Sequence, residues 1–234
     1  ITRELDIKIG DTILIADSTL IFERNKNKIF NTGLFNFVTI TYISNALIKL
    51  VEERWYVWPV PIFELADRSF NEWWVDRNRD LKRVNIGMDF EHRNFRGRNE
   101  KLRIKIQQGF LKKYELSYKL PYINSFLSNG MKFTASYSTN NKTAYVAENN
   151  KLKFINSETT TRERFHTGIE LNRRPKYYLT YTGQFNYRHN SIADTITKLN
   201  PHYFGFNKTT HQFFELIFSL KYDKRDIQYY PYKG

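Results

Sequence analysis

The chain has 234 residues, with 37 Lys and Arg against 24 Asp and Glu, a formal net charge of +13, and no cysteine. A sequence without cysteine excludes disulfides, Cys-ligated zinc and thiol nucleophiles. No run approaches the roughly 18–20 apolar residues of a membrane helix, but a membrane β-barrel stays possible because its alternating strands average out as polar. The positive charge fits nucleic acid, an anionic membrane surface or a charged pore lining.

Residues 1–56 have a mixed α/β pattern. Asp17 and Ser18 can cap a helix, and Gly33 suits the left-handed residue that follows a helix end. Two strand-like runs and a two-residue hairpin turn between them come next: residues 34–43, Ser44-Asn45 and Ala46–Glu53. The pattern predicts a helix–strand–strand unit that is marginally stable alone.

From residue 57 onward the helical periodicity gives way to alternation with a period of two. In one run, Ile104 and Ile106 alternate with Arg103 and Lys105. The alternating runs are residues 84–91, 102–107, 113–120, 131–138, 164–171, 177–188 and 213–222. With a first strand at residues 57–66, they predict eight antiparallel strands that have one apolar and one polar face.

A soluble sandwich and a membrane barrel both fit this alternation, and the connections favour the barrel. The long polar links are expected on the outside of the membrane: residues 71–79, 140–161 and 190–210. The short links are expected on the periplasmic side: residues 93–100 and 172–175. Outer-membrane barrels have this asymmetry, together with aromatic girdles at the strand ends. Tyrosines stand at such positions: Tyr114, Tyr122, Tyr137, Tyr177, Tyr187 and Tyr222.

Because alternate residues of a strand face opposite sides of the sheet, the basic residues are predicted to lie on one face. The basic residues predicted to line a hydrated lumen are Arg103, Lys105, Lys113, Lys119, Lys132, Arg164, Arg188 and Lys221. The residues predicted to face lipid are Ile104, Ile106, Leu116, Tyr118, Phe133, Leu179, Leu216 and Phe218. A Lys or Arg near the midplane of the lipid face would cost about 2–4 kcal/mol. An ordinary solvated sheet face is the alternative.

Several segments resemble one family in order along the chain. ITRELDIKIG at residues 1–10 and NTGLFNFVTI at 31–40 resemble the end of a POTRA domain, and VEERWYVW at 51–58 resembles the passage from its last strand into a barrel. The resemblance to the BamA/TamA outer-membrane assembly superfamily continues through FRGRNEKLRIKIQQG, LSYKLPYI, NGMKFTASY and the ending YDKRDIQYYPYKG. WPVPIFELADRSFNEWW at 58–74 is most similar to the Bacteroidota branch.

The resemblance implies a mainly β fold with an antiparallel transmembrane β-barrel. Residues 1–56 would be the C-terminal part of a periplasmic POTRA domain, and residues 57–234 would be the N-terminal half of the barrel. The family barrel has sixteen strands and a late RGF loop, whereas eight strands and no counterpart of that loop are found in this sequence. The chain is therefore expected to be partial, with an intact eight-stranded barrel as the competing interpretation.

The function implied is insertion and folding of β-barrel proteins in the bacterial outer membrane, without a cofactor or catalytic activity. Expected partners are outer-membrane lipids, unfolded barrel-protein clients and accessory subunits, and not nucleic acid. The alternatives are a channel of the same superfamily that moves polypeptide or lipid, and a soluble basic protein that stacks bases on exposed aromatics. Five histidines lack metal-ligand spacing, and no phosphate loop or nucleophile elbow occurs in the sequence.

The first predicted barrel strand contains two prolines, Pro59 and Pro61. Proline has no N–H and is confined to sheet edges and bulges. In the resembling family the seam between the first and last strands is implied to open sideways and pair with client strands. The candidate gate residues are Val57, Pro59, Pro61, Phe63 and Leu65. The alternative is that the prolines only end the preceding domain or blunt an edge.

Overall fold

The computed structural model describes residues 4–7, 11, 15–43, 46–124, 126–227 and 231–232. An N-terminal α/β unit precedes a large antiparallel sheet. The first elements are α1 (Ile15–Phe30), β1 (Phe35–Ile43), β2 (Ala46–Glu53), β3 (Val57–Leu65), β4 (Val84–Phe95), β5 (Glu100–Gly109) and β6 (Leu111–Leu120). The later elements are β7 (Asn129–Asn140), β8 (Lys142–Glu148), β9 (Lys151–Asn156), β10 (Arg162–Lys176), β11 (Leu179–Ile192), α2 (Asp194–Leu199) and β12 (Thr210–Tyr222).

The N-terminal unit packs α1 against the β1–β2 hairpin. Its described core is formed by Ile29, Phe35 and Val38, with partly buried apolar neighbours around them. Gly33 has a φ of 72°, which confirms the predicted left-handed residue after the helix. Asp17 and Ser18 lie within α1 (Ile15–Phe30), so the prediction that they cap the helix is wrong. The predicted turn at residues 44–45 lies outside the described residues.

The main sheet has eight antiparallel strands in the order β12-β11-β10-β7-β6-β5-β4-β3. The eight predicted strands are confirmed, and most extend beyond the alternating runs that revealed them. Within the described residues β3 and β12 are both edge strands, so the eight strands form an open sheet. The competing interpretation of an intact eight-stranded barrel is therefore wrong for this structure.

The polar face of the sheet is concave. A cavity of about 330 Å³ is lined by polar-face residues of strands from β5 to β12, including Lys101, Lys119, Glu170 and Lys221. Residues on such distant strands can line one cavity only if the sheet curves around it. Consistent with this curvature, many side chains of the opposite, apolar face are exposed, such as Phe218 at 81%.

The two ends of the strands carry connections of different length, as predicted. One end carries residues 66–83, 141–161 and 193–209 together with the one-residue β5–β6 turn at Phe110, and the other carries residues 96–99, 121–128 and the turn Tyr177–Tyr178. The long connections contain structure that the sequence did not reveal: a π-helical turn at Glu72–Asp76, the β8–β9 hairpin and α2. No described helix is long and apolar enough to span a membrane.

The predicted short link at residues 172–175 is wrong, because β10 continues to Lys176. The pairing of β10 with β11 is irregular between Arg173 and Lys176, and Pro175 lies at this irregularity. An irregular position has no ladder hydrogen bond for a proline to remove. The strand therefore passes through Pro175, and the turn falls on Tyr177 and Tyr178.

The N-terminal unit contacts the end of the sheet that has the short turns. Arg174 of β10 forms an ion pair with Glu4 at 2.6 Å. The Asn31 side chain donates to the carbonyl of Asp226 at 2.8 Å, and Lys28 lies 4.7 Å from the centre of the Tyr177 ring. Burial raises the pKa of the Tyr177 hydroxyl at this contact.

Candidate functional site

The free edge of β3 is the first part of the candidate site. The Arg93 N–H donates to the Tyr56 carbonyl at 2.7 Å, and the Ala66 N–H donates to the Arg83 carbonyl at 2.8 Å. Both pairs continue the β3–β4 register, in which Val57 is opposite His92. In an antiparallel ladder, hydrogen-bonded and non-hydrogen-bonded pairs alternate. The even-numbered residues of β3 therefore bond to β4, and the odd-numbered residues direct their backbone groups away from it.

The odd-numbered residues of β3 are the five predicted gate residues: Val57, Pro59, Pro61, Phe63 and Leu65. Two of the five have no N–H to donate. In addition, the Val57 carbonyl accepts a hydrogen bond from the Trp55 indole N–H. The free edge of β3 thus offers an incomplete row of backbone donors to a neighbouring strand.

The opposite edge of the sheet, on β12, is complete. The Asp223 N–H donates to the Tyr178 carbonyl at 2.9 Å, and the Ile192 N–H donates to the Thr209 carbonyl at 2.8 Å. These contacts show that the odd-numbered residues of β12 bond to β11. The even-numbered residues, from Thr210 to Tyr222, therefore direct their backbone groups to the free side. None of these residues is proline. The two edges of the sheet therefore differ in their capacity to pair.

The second part of the site is the concave polar face. The registers of the seven strand pairs place all eight basic residues predicted for the lumen on this one face. Several of them are paired with acids there: Arg103 with Asp89 through two hydrogen bonds, Lys113 with Glu115 at 2.7 Å, and Arg188 with Glu215 at 3.2 Å. The predicted row of cations is thus a partly neutralised polar surface.

The third part is the apolar face, and all eight residues predicted to face lipid lie on it. Leu116, for example, is directly opposite Ile104 on one side and Ala135 on the other. The charged residues on this face of the described strands lie near strand ends: Glu100, Lys112, Glu163, Arg173 and Lys176. Of the six tyrosines predicted for girdles, Tyr114 and Tyr137 are cross-strand neighbours on this face, whereas Tyr177 contacts the N-terminal unit.

Sequence reasoning missed Lys101, which lies on the polar face one residue before the alternating run used to assign β5. It also missed a buried ion pair at the end of the sheet with the long connections. The side chains of Asp67 and Arg83 are 1% and 3% exposed. Arg83 donates through Nε at 2.9 and 2.8 Å, and its hydrogen bonds lower the pKa of the Asp67 carboxyl. No local sequence pattern joins these residues.

No group of three or more His, Asp or Glu among the described residues could hold a metal ion. His166 lies on the polar face opposite Arg188 and Ser136. Its Nε2 is 3.4 Å from the Asn186 side-chain oxygen. Asp223 accepts hydrogen bonds from Arg225, which lower the pKa of the Asp223 carboxyl, as expected for a charge pair.

An antiparallel sheet with one apolar face and one charged concave face has the alternation of barrel-like outer-membrane proteins. Residues 94–234 match the Omp85 superfamily domain, and the chain belongs to the Omp85 superfamily. Membership indicates an outer-membrane location. No curated protein sequence matches the chain.

The fold is similar to that of a solved structure, BamA from Haemophilus ducreyi lacking POTRA domains 1–3. The TM-score is 0.52 and the sequence identity is 14%. The match covers 100% of this chain and 43% of that chain, so the present chain spans less than half the length of the solved structure.

Proposed function

We propose that the chain belongs to an outer-membrane assembly factor that inserts and folds β-barrel proteins. In this proposal residues 57–234 form the first half of a sixteen-stranded barrel, and residues 1–56 form the last part of a periplasmic POTRA domain. The protein is of the Bacteroidota type. Superfamily membership and the barrel-like fold support the general role, and the segments at residues 31–40 and 58–74 carry the finer assignment.

The observation that carries the proposal is the incomplete free edge of β3. A barrel closes by pairing its first strand with its last, and Pro59 and Pro61 remove two donors from that seam. A weak seam can open and offer its backbone to an unfolded client strand, which is strand addition at a sheet edge. The client's own pairing and burial in lipid supply the energy, because unpaired backbone groups are costly in hydrocarbon.

The two faces of the sheet take the expected roles in this proposal. The apolar face contacts outer-membrane lipid, and the concave face with its basic residues lines a hydrated lumen. Unfolded clients and accessory subunits bind on the periplasmic side, where the N-terminal unit contacts the short-turn end of the sheet. The assembly reaction requires no cofactor.

A second candidate function is translocation of polypeptide or lipid through the same type of barrel. The concave basic face favours this candidate, because such a lumen would select anionic cargo. Anion-selective conductance in planar bilayers would support translocation. Failure of unrelated barrels to assemble after depletion of the protein would support the assembly function.

The orientation in the membrane gives the first prediction. A single cysteine at Thr195, in the α2 connection, should be labelled by an impermeant maleimide on intact cells, because the long connections are external. A cysteine at Tyr178, in the β10–β11 turn, should be labelled only after the outer membrane is permeabilised. Residues 1–234 contribute no background of their own, since they contain no native cysteine. The reverse pattern would contradict the proposed orientation.

The proline edge gives the second prediction. Pro59→Val with Pro61→Thr restores two donors, each worth about 0.5–1.5 kcal/mol and more where lipid removes competing water. The double variant should melt at a higher temperature and insert clients more slowly. Heat-dependent gel mobility measures the first effect, and a reconstituted insertion assay in vesicles measures the second.

The matched control is Val60→Thr, because Val60 lies on the same strand but its backbone already bonds to β4. It should change neither the melting temperature nor the insertion rate appreciably. If the proline variant melts higher but inserts clients at the parental rate, the seam is not the site of client entry. The superfamily assignment would be unaffected by that result.

A further inference from the structure

Three lysines form a continuous row across the concave face. Lys101 of β5 is directly opposite Lys119 of β6, and Lys119 is directly opposite Lys132 of β7. Like charges at directly opposite positions of a sheet are destabilising, and their Cβ atoms are only about 4.5–5.5 Å apart. None of the three forms an ion pair or a hydrogen bond with another described residue. Their ammonium groups are therefore available to bind an anion.

Other basic residues of this face lie beside acids, and Lys105 is an example. Two same-face positions further along β5, after Arg103, Lys105 lies between Asp89 on β4 and Glu115 on β6. The residues that flank the lysine row are engaged elsewhere. Arg93 pairs with Glu91 at 2.5 Å, and Glu170 accepts a hydrogen bond from Gln184 at 3.1 Å.

The row borders the cavity of about 330 Å³ at the short-turn end of the sheet, which Lys101 and Lys119 line. Two of the three acids that line this cavity form ion pairs with arginines. Glu4 pairs with Arg174 at 2.6 Å, and Asp223 pairs with Arg225 at 2.6 Å. The third acid, Glu170, is directly opposite Lys132 and accepts a hydrogen bond from the neutral Gln184 side chain. Lys101 and Lys119 thus face an open volume in which two of the three carboxylates are neutralised by arginines.

We propose that Lys101, Lys119 and Lys132 bind a phosphate monoester group, carried either by free phosphate or by a phosphorylated lipid headgroup. A phosphate monoester has a charge of about −1.5 to −2 and three strong acceptor oxygens. It can accept from all three ammonium groups at once, and its charge offsets most of their repulsion, whereas one carboxylate would offset only one lysine. Lysine is a common phosphate ligand that acts as a point charge.

The test uses the purified protein in maltoside micelles and titration calorimetry with inorganic phosphate. Parallel titrations use a short-chain lipid with a phosphate monoester headgroup and the same lipid with its phosphate capped by choline. Phosphate or the monoester lipid should bind and raise the melting temperature. Binding of inorganic phosphate identifies a site for the free anion, and binding of the monoester lipid alone identifies a headgroup site; the capped lipid should bind more weakly than either.

Lys119→Ser should weaken binding at least about tenfold, because it removes the central charge, which lies directly opposite both other lysines. Lys105→Ser is the control: it removes the same charge from the same face and should change the affinity by less than about twofold. Without phosphate, Lys119→Ser should melt no lower than the parent, since it relieves repulsion, and this distinguishes a lost site from a misfolded protein.

Absence of binding to the parent up to about 10 mM of either phosphate ligand would overturn the proposal. Equal weakening by Lys105→Ser and Lys119→Ser would also overturn it, because the effect would then reflect general charge. The site does not rest on the proposed assembly function, since binding is measured on the isolated protein without clients.

Discussion

Asp67→Ala should lower the stability of the long-connection end of the sheet by about 3–5 kcal/mol, the usual cost of leaving one partner of a buried ion pair unpaired. Arg83 is 3% exposed and lies 5.3 Å from the Phe110 ring and 5.5 Å from the Phe154 ring, so water cannot readily replace the lost carboxylate. Limited proteolysis of residues 68–82 and the emission of buried Trp73 would report the loss.

The control is the double variant Asp67→Leu with Arg83→Met, which removes both charges. Replacing a buried ion pair by apolar residues of similar size is often neutral, so this variant should be much more stable than Asp67→Ala. If the double variant is as unstable as the single one, the contribution of the pair is packing rather than charge.

The same pair makes stability depend on pH. The Arg83 hydrogen bonds hold the pKa of the Asp67 carboxyl below its usual range. A carboxyl with a lowered folded-state pKa contributes stability above its ordinary pKa of about 3.9, and this contribution is lost as the pH falls through the folded-state value. Acid should therefore expose residues 68–82 to an acid-active protease in the parent. In Asp67→Asn this acid-dependent step should be absent.

Leu116→Arg should prevent most of the protein from folding into lipid vesicles. Leu116 is in the middle of β6 on the apolar face, between Ile104 and Ala135 on the neighbouring strands. A cation near the midplane of a lipid-facing strand costs about 2–4 kcal/mol. The folded fraction in heat-dependent gel mobility measures this effect, and Ile104→Arg should behave in the same way.

Lys105→Ser is the matched change on the opposite face of the sheet. It should be tolerated, because Asp89 keeps its pair with Arg103 and Glu115 keeps its pair with Lys113 at 2.7 Å. If Lys105→Ser and Leu116→Arg are equally damaging, both faces are buried, as in a soluble sandwich, and neither faces a hydrated lumen.

Much of the sheet could be predicted from the sequence, because side-chain alternation is a local property of a two-faced strand. Ile104 and Lys105 reveal their faces without any knowledge of neighbouring strands. Strand ends were less visible, since polar residues such as Glu100 and Lys112 occupy the apolar-face positions there. The sequence predicts a link at Pro175 because proline and its polar neighbours are typical of turns.

Features that depend on pairing between distant segments could not be predicted. The β8–β9 hairpin is held beside the sheet by Thr161, whose hydroxyl is 2.8 Å from that of Thr143 and donates to the Asn140 carbonyl at 2.9 Å. The direction of the Pro59 and Pro61 backbone depends on which pairs of the β3–β4 ladder are hydrogen-bonded. Because Pro59 and Pro61 are two residues apart, the sequence shows that their backbone groups point to the same side of the strand. Only the structure shows that this side is the free edge.

The N-terminal unit is attached to the sheet near both of its edges. Its covalent connection enters β3 through Tyr56, while Glu4 and Asn31 contact Arg174 and Asp226 on the β10–β12 side. Flattening of the sheet would move these two attachments apart and break the Arg174–Glu4 ion pair. The N-terminal unit therefore links the two edges of the curved sheet and opposes its flattening. A mechanical load on it is divided between the first strand and the last three, so motion at one edge is coupled to motion at the other.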